Sequence, residues 1–164
     1  MRYQRIHEGT MKIEPLSDNM HLFEDVAKMK FQEFSYLTGE DTLENYLSRQ
    51  SKYVTKQHLP KAYVVLNEKK ELIGTFTLKL RDFGLRLDLT PWLGSLVVAS
   101  THRRQGVGAF IVYQAERLAT ELGYSVLYLY TPDKEAWYSK QGWHVIERTF
   151  LNKFPVTVMS KELL

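Results

Sequence analysis

The sequence predicts a mixed α/β fold: one β-sheet, flanked by helices, that contains a single parallel strand pair. Three observations predict it. β-rich runs crowd the segment from Lys61 onward, "AYVVLN", "ELIGTFTLKL" and "WLGSLVVAS". An amphipathic stretch from Gly106 to Leu122 separates the last of these from a further run, "SVLYLY". Residues 92–130 therefore read as one strand–helix–strand unit with a right-handed crossover and parallel strands. Only one such unit exists, which excludes an alternating doubly wound sheet.

The elements follow in order. Residues 11–15, "MKIEP", read as a short first strand. Residues 19–37 place Met20, Phe23, Val26, Ala27, Phe31 and Phe34 at helical intervals. A second helical stretch follows Gly39 through "EDTLENYLSRQSKYVTKQ". "NEKKE" is the polar turn between the first two β-rich runs. Between Gly106 and Leu122, the residues Val107, Ile111, Ala115, Leu118 and Leu122 step by three or four along one face. Gly123 then stands where a C-terminal cap belongs. After "SVLYLY", "DKEAWYSKQ" reads as a short helix ended by Gly142, and "WHVIERTFL" and "FPVTVMSKEL" read as two closing strands.

The 164 residues, 44% apolar and 25% charged, suit one domain spanning 1–164 with its own core. Residues 1–10 could form an extension, because Met11 opens the first strand. No run approaches the roughly 20 apolar residues of a membrane span, and the N-terminus has no apolar stretch of signal-peptide length. A cytoplasmic protein without membrane contact is therefore expected. The chain has no cysteine, which excludes disulfides and thiolate chemistry. Its five histidines, at 7, 21, 58, 102 and 144, show no ligand spacing, so no metal is expected. A net charge of +3 is mild, and the basic residues are dispersed apart from one tight pair; nucleic acid is not an expected partner.

That pair lies in "LGSLVVASTHRRQGVGAF", Leu93 to Phe110. The first N–H groups of a helix lack intrahelical partners, and its dipole puts partial positive charge at that end. Glycines there let a ligand approach the backbone, so Gly106 and Gly108 at a helix start make an anion site, with phosphate the commonest occupant. Arg103 and Arg104 bring charge to the same spot, and each guanidinium can fork onto phosphate oxygens. A Walker loop is excluded because no lysine follows Gly108 in register. A dinucleotide fingerprint is excluded because its third glycine position is Ile111.

The remaining pattern, Arg103-x-x-Gly106-x-Gly108 between a strand and a helix, resembles the acyl-coenzyme A loop of the GNAT superfamily of N-acetyltransferases. "SVLYLYTPDKEAWYSKQGW" is similar to that family's next block, a strand and short helix ending in aromatic-Tyr-x-x-x-Gly-aromatic. Here those positions are Trp137, Tyr138, Gly142 and Trp143. The motifs cover residues 91–145, and elsewhere the resemblance is topological.

The resemblance implies a mixed, mostly antiparallel sheet whose central parallel pair is splayed. It implies acetyl-coenzyme A as co-substrate, with the pyrophosphate held by Arg103, Arg104, Gln105, Gly106, Val107 and Gly108. The pantetheine arm is expected on the main chain of Leu96 and Val98, while their side chains pack the core. Tyr138 is the expected catalytic residue, protonating or hydrogen-bonding the departing thiolate. A thiol near 8.5 and a phenol near 10 differ by roughly 2 kcal/mol, so proton sharing is feasible.

Direct transfer to a primary amine is preferred over an acyl-enzyme, since the chain has neither cysteine nor a G-x-S-x-G elbow. The alternative is a non-catalytic acyl-coenzyme A-binding regulatory module. No general base is assigned: "PWLGSLVV" carries no acid, and Asp82 and Asp88 read as turn or solvated residues. Glu33, Glu40, Asp41 and Glu44, unmixed with lysine or arginine between Phe31 and Ser48, invite a cationic acceptor. The plainer reading, acids at a helix start, ranks ahead. Tyr36, Tyr46 and Trp92 are candidates to line the same pocket. The acceptor class, from small molecule to peptide, stays open, as does a homodimer of the kind common in the family.

Overall fold

The computed structural model describes residues 10–39, 41–84 and 86–164. Residues 1–9, which hold most of the suggested extension, and Glu40 of the acidic patch lie outside the described residues. Seven strands form one sheet in the order β1-β2-β3-β4-β5-β7-β6. They are β1 (Lys12–Pro15), β2 (Lys61–Leu66), β3 (Leu72–Lys79), β4 (Trp92–Val98), β5 (Val126–Thr131), β6 (His144–Leu151) and β7 (Phe154–Glu162). The helices are α1 (Phe23–Phe34), α2 (Leu43–Gln50), α3 (Val107–Glu121) and α4 (Glu135–Ser139). All pairings are antiparallel except β4 with β5, as the single strand–helix–strand unit requires.

Strand alternation decides which residues cover which face. On β2, Tyr63 and Val65 join the core under α3, while Ala62, Val64 and Leu66 pack with Leu16 and Val26 on the α1 side. α3 buries Val107, Phe110, Ile111, Ala115 and Ala119 against Ile73, Phe76, Leu78, Leu93, Leu127 and Leu129. A third cluster, Phe83, Trp92, Val156 and Val158, fills the face behind β5 and β7. Trp92 is wholly buried there, with its indole N–H donating to the Leu89 carbonyl at 2.7 Å. It therefore belongs to the core and does not line the cleft.

Two helices differ in extent from the sequence expectation. The first begins at Phe23, after two 3-10 turns over Leu16–Asp18 and Met20–Leu22. The second is shorter at both ends. Thr42 caps it by accepting from the Asn45 N–H at 3.1 Å, and regular helix stops at Gln50. Past a further 3-10 turn the Thr55 hydroxyl donates to the carbonyls of His58 and Pro60, which turns the chain into β2.

Candidate active site

The site begins with an irregularity in β4. Thr75 opposes Val97 but Thr77 opposes Gly94, which leaves Ser95 and Leu96 together opposite Phe76. Ser95 takes φ 51°, the left-handed conformation of a bulge. On its other edge β4 meets β5 at one register position only, Trp92 opposite Tyr128. Past that point the two strands part, and a cleft of about 1810 Å³ opens between them. Leu93–Val98 and Leu129–Asp133 form its walls, α1 and α2 contribute its floor, and the start of α3 closes one end.

The β4–α3 loop brings donors to that end. Arg104 and Gly106 have φ 61° and 85°, and Gly106 stands directly before α3 with no side chain to cap it. Phe110 N–H bonds to the Gly106 carbonyl, while the N–H groups of Val107, Gly108 and Ala109, which line the cleft, have no acceptor in the helix. A Cβ built on Gly108 would lie 3.4 Å from the Trp137 ring and 3.8 Å from Val98 Cγ2, both cleft residues. Such a cradle has the donors and the clearance for a diphosphate.

The arginines differ. Arg103 is tied back by donating to the Val98 carbonyl at 3.2 Å and to Glu33 at 3.1 Å. Arg104 lines the cleft without an ion pair among the described residues. Gln105 is exposed and is not part of the lining, so only its backbone belongs to the loop.

Tyr138, on α4, is 8% exposed and reaches the cleft from the β5 side. Trp137 and Trp143 hold its ring edge-on at 4.9 and 5.9 Å. Burial, with Asp133 adding to it, raises the phenol well above its usual range. The group therefore remains protonated at Oη and can donate. Leu96 and Val98 lie on the opposite wall, half-buried.

The other end of the cleft holds a cluster the sequence reading did not foresee. Lys79 pairs with Asp82 at 3.0 Å, and both are nearly buried. Asp82 is thus not a solvated turn residue. It fills the space over Gly94, where a Cβ would come within 2.5 Å of its Oδ2. Asp88, paired with Arg86, is exposed as expected. Lys30, 3% exposed, donates to Thr77 Oγ1 at 3.4 Å and lies 5.3 Å from the centre of the Tyr53 ring. No carboxylate lies within ion-pair distance of it among the described residues. Burial resists the charge on Lys79, but Asp82 and Tyr53 outweigh that and raise its pKa.

Tyr36 and Tyr46 do line the cleft. Two of the floor acids are already paired, while a third is open to solvent. Glu33 is held by Arg103, Asp41 by Arg49 at 2.6 Å, and Glu44 is solvent-exposed. The sequence did carry a signal for Lys30, which occupies the inward stripe of α1 that runs Phe23, Val26, Ala27, Phe34. Thr75 and Thr77, which alternate with Lys79 along β3, are both wholly buried.

Burial pushes the Lys30 ammonium from 10.5 down to about 7, with Lys79 repelling it and Asp82 opposing the fall. The folded state therefore binds this proton more weakly than the unfolded chain. The resulting penalty is complete below pH 7 and is relieved as pH rises toward 10.5. Lys30→Met removes it. The variant's stability advantage should shrink by on the order of 2 kcal/mol between pH 6 and pH 9. Urea unfolding at both pH values measures this, and a difference independent of pH would show that Lys30 titrates normally.

Among the described residues no helix is long and apolar enough to cross a membrane. No curated protein sequence is matched by the chain. Solved structures share its fold. A spermidine N-acetyltransferase from Vibrio cholerae in complex with CoA and spermine superposes with a TM-score of 0.73 at 16% identity, over 94% of this chain and 96% of that one. A GNAT-family acetyltransferase from Staphylococcus aureus gives 0.70 at 15% identity, over 94% and 99%. A chain of the NatC complex bound to Gag peptide and CoA gives 0.69 at 17%, again over 94% and 99%. At these identities the likeness is one of fold alone. The sequence itself matches the acetyltransferase (GNAT) family over residues 23–143. With most of its length matched and the family's cleft between its parted central strands, this chain belongs to the GNAT family of N-acetyltransferases, which use acetyl-coenzyme A.

Proposed function

We propose that the chain, folded as one domain over residues 1–164, transfers acetyl from acetyl-coenzyme A directly to a primary amine in a ternary complex. One observation carries this reading: β4 and β5 pair only at Trp92 and Tyr128, and the cleft beyond connects the α3 cradle with the Lys30–Asp82 end. Two ligands can therefore meet from opposite ends of one channel. The N–H groups of Val107 and Gly108, with Gly106 and the Arg104 guanidinium, hold the pyrophosphate. Gln105 contributes backbone only. Arg103 serves chiefly by bracing the loop against Glu33 on α1. The pantetheine arm lies along Leu96 and Val98 as an added strand would. Since the Val98 carbonyl already accepts from Arg103, Leu96 and the Val98 N–H are the main-chain groups to engage it.

Acetyl-coenzyme A supplies the thioester-activated acetyl group and the thiolate leaving group. Tyr138 holds its proton at Oη on the wall facing Leu96 and donates a hydrogen bond to the departing sulfur; the burial that raises its pKa works against the full proton transfer an unperturbed phenol would allow. An alkyl ammonium needs roughly 4–5 kcal/mol to lose its proton at pH 7, so the acceptor must be deprotonated before attack. The small-molecule acceptor enters over α1 and α2. No metal or nucleic acid takes part in this reading.

Melting with and without acetyl-coenzyme A tests the cradle. A ligand at 100 times its dissociation constant adds about 2.7 kcal/mol to stability. Thiol release on adding amines then tests transfer. Stabilisation without thiol release from any amine would favour the non-catalytic module instead.

A further inference from the structure

We propose that the acceptor amine carries a carboxylate, and that Lys30 Nζ, beside Tyr53 and Thr77 in the cleft, is the group that binds it. The inference rests on the acetyl-transfer reading above and specifies its acceptor. Its basis is the charge arrangement at the acceptor end. Lys30 lies on the inward stripe of α1, 3% exposed, lines the cleft and has no carboxylate partner among the described residues. A buried ammonium without a counter-ion is costly, so Lys30 either gives up its proton or is matched by an anion that a ligand brings into the cleft.

The neighbouring groups supply no such anion. From β3, Thr77 offers only a hydroxyl at 3.4 Å and Lys79 adds a second cation. From the β3–β4 connection, Asp82 is spent on Lys79 at 3.0 Å. From the turn after α2, Tyr53 presents its ring 5.3 Å from Lys30 and 5.2 Å from Lys79. On α1 itself Glu33 is turned to Arg103, and beyond it Asp41 is held by Arg49. With both ammonium groups charged the cluster carries one uncompensated positive charge. An incoming carboxylate neutralises it, whereas a polyamine would bring further positive charge against two lysines. Burial leaves Lys30 weakly basic in the free site, and a bound carboxylate restores its proton.

The acceptor so defined has a primary amine and a carboxylate on one small skeleton, as amino acids do. The Lys79–Asp82 pair packs over Gly94, directly before the bulge in β4, beside the Lys30 site.

The test compares matched acceptors, α-amino acids and β-alanine against their carboxamides, with spermidine as the cationic control. With acetyl-coenzyme A, thiol release should favour carboxylates over carboxamides by at least tenfold in kcat/KM. In Lys30→Met and Lys30→Gln that preference should collapse through KM, with kcat little changed. Lys30→Arg should retain part of it. In parallel, melting of the wild-type protein saturated with coenzyme A should rise with the carboxylates and not with the carboxamides. Equal or better use of carboxamides or spermidine overturns the proposal, as does a preference that survives Lys30→Met. Absence of thiol release with every amine defeats the acetyl-transfer reading. In that case the melting comparison still decides the carboxylate site, and no preference there sinks it.

Discussion

Gly108→Trp is expected to abolish the rise in melting temperature that acetyl-coenzyme A gives the native chain. The position has little room. A Cβ already touches the Trp137 ring at 3.4 Å and approaches Val98 Cγ2 at 3.8 Å, so an indole can only project into the cradle mouth or displace Trp137. Either outcome blocks the approach of a diphosphate to the N–H groups of Val107 and Gly108. The expected loss in affinity exceeds about 100-fold, which removes the roughly 2.7 kcal/mol of ligand stabilisation available at 100 times the native dissociation constant. The melting temperature without ligand separates this from misfolding. Gly108→Ala, whose methyl only reaches contact distance, should keep most of the response. A Gly108→Trp protein stabilised as well as the native one would remove the loop from the binding site.

Tyr138→Phe is expected to lower kcat by about 100-fold while leaving the affinity for acetyl-coenzyme A near its native value. The ring is retained, so the edge-on contacts with Trp137 and Trp143 persist and the fold is little changed. Only the proton at Oη is lost. Burial holds the phenol above its usual range, which makes ionisation of Tyr138 an implausible cause of any rate loss below pH 10. Steady-state kinetics with the preferred amine, together with melting in acetyl-coenzyme A, measure both quantities. Unchanged turnover would make Tyr138 a packing residue. Equal losses in binding and turnover would instead place it against the carrier.

Much of this was legible in residue order. The amphipathic stretch from Gly106 to Leu122 marks α3 to within a residue at each end, because its apolar spacing matches the helical period and glycines stand at both ends. The parallel pairing of β4 with β5 followed from the helix between them. The turn at Arg103–Gly108 and the short helix that carries Tyr138 are legible as local pattern, since an uncapped helix start and a short aromatic helix are built from neighbours in sequence. The second helix was overextended, because nothing in "SKYVTKQ" announces that the Thr55 hydroxyl turns the chain toward β2. Asp82 reads as a turn or solvated residue but is nearly buried against Lys79. Sequence spacing shows that an acid is present, while its charge partner comes from another element, as Arg103 does for Glu33 and Lys79 for Asp82.

The sequence by itself determined the order of elements, the glycine turn at the head of α3 and membership of an acetyl-transferring family. These depend on periodicity, glycine placement and short-range motif, all of which are local. Only the tertiary structure decided where the central strands part, that Trp92 is core and not pocket, and that Lys30 faces the cleft without a carboxylate partner among the described residues. Burial and charge pairing are sums over residues far apart in the chain, and they exist only once the sheet and α1 have been brought together.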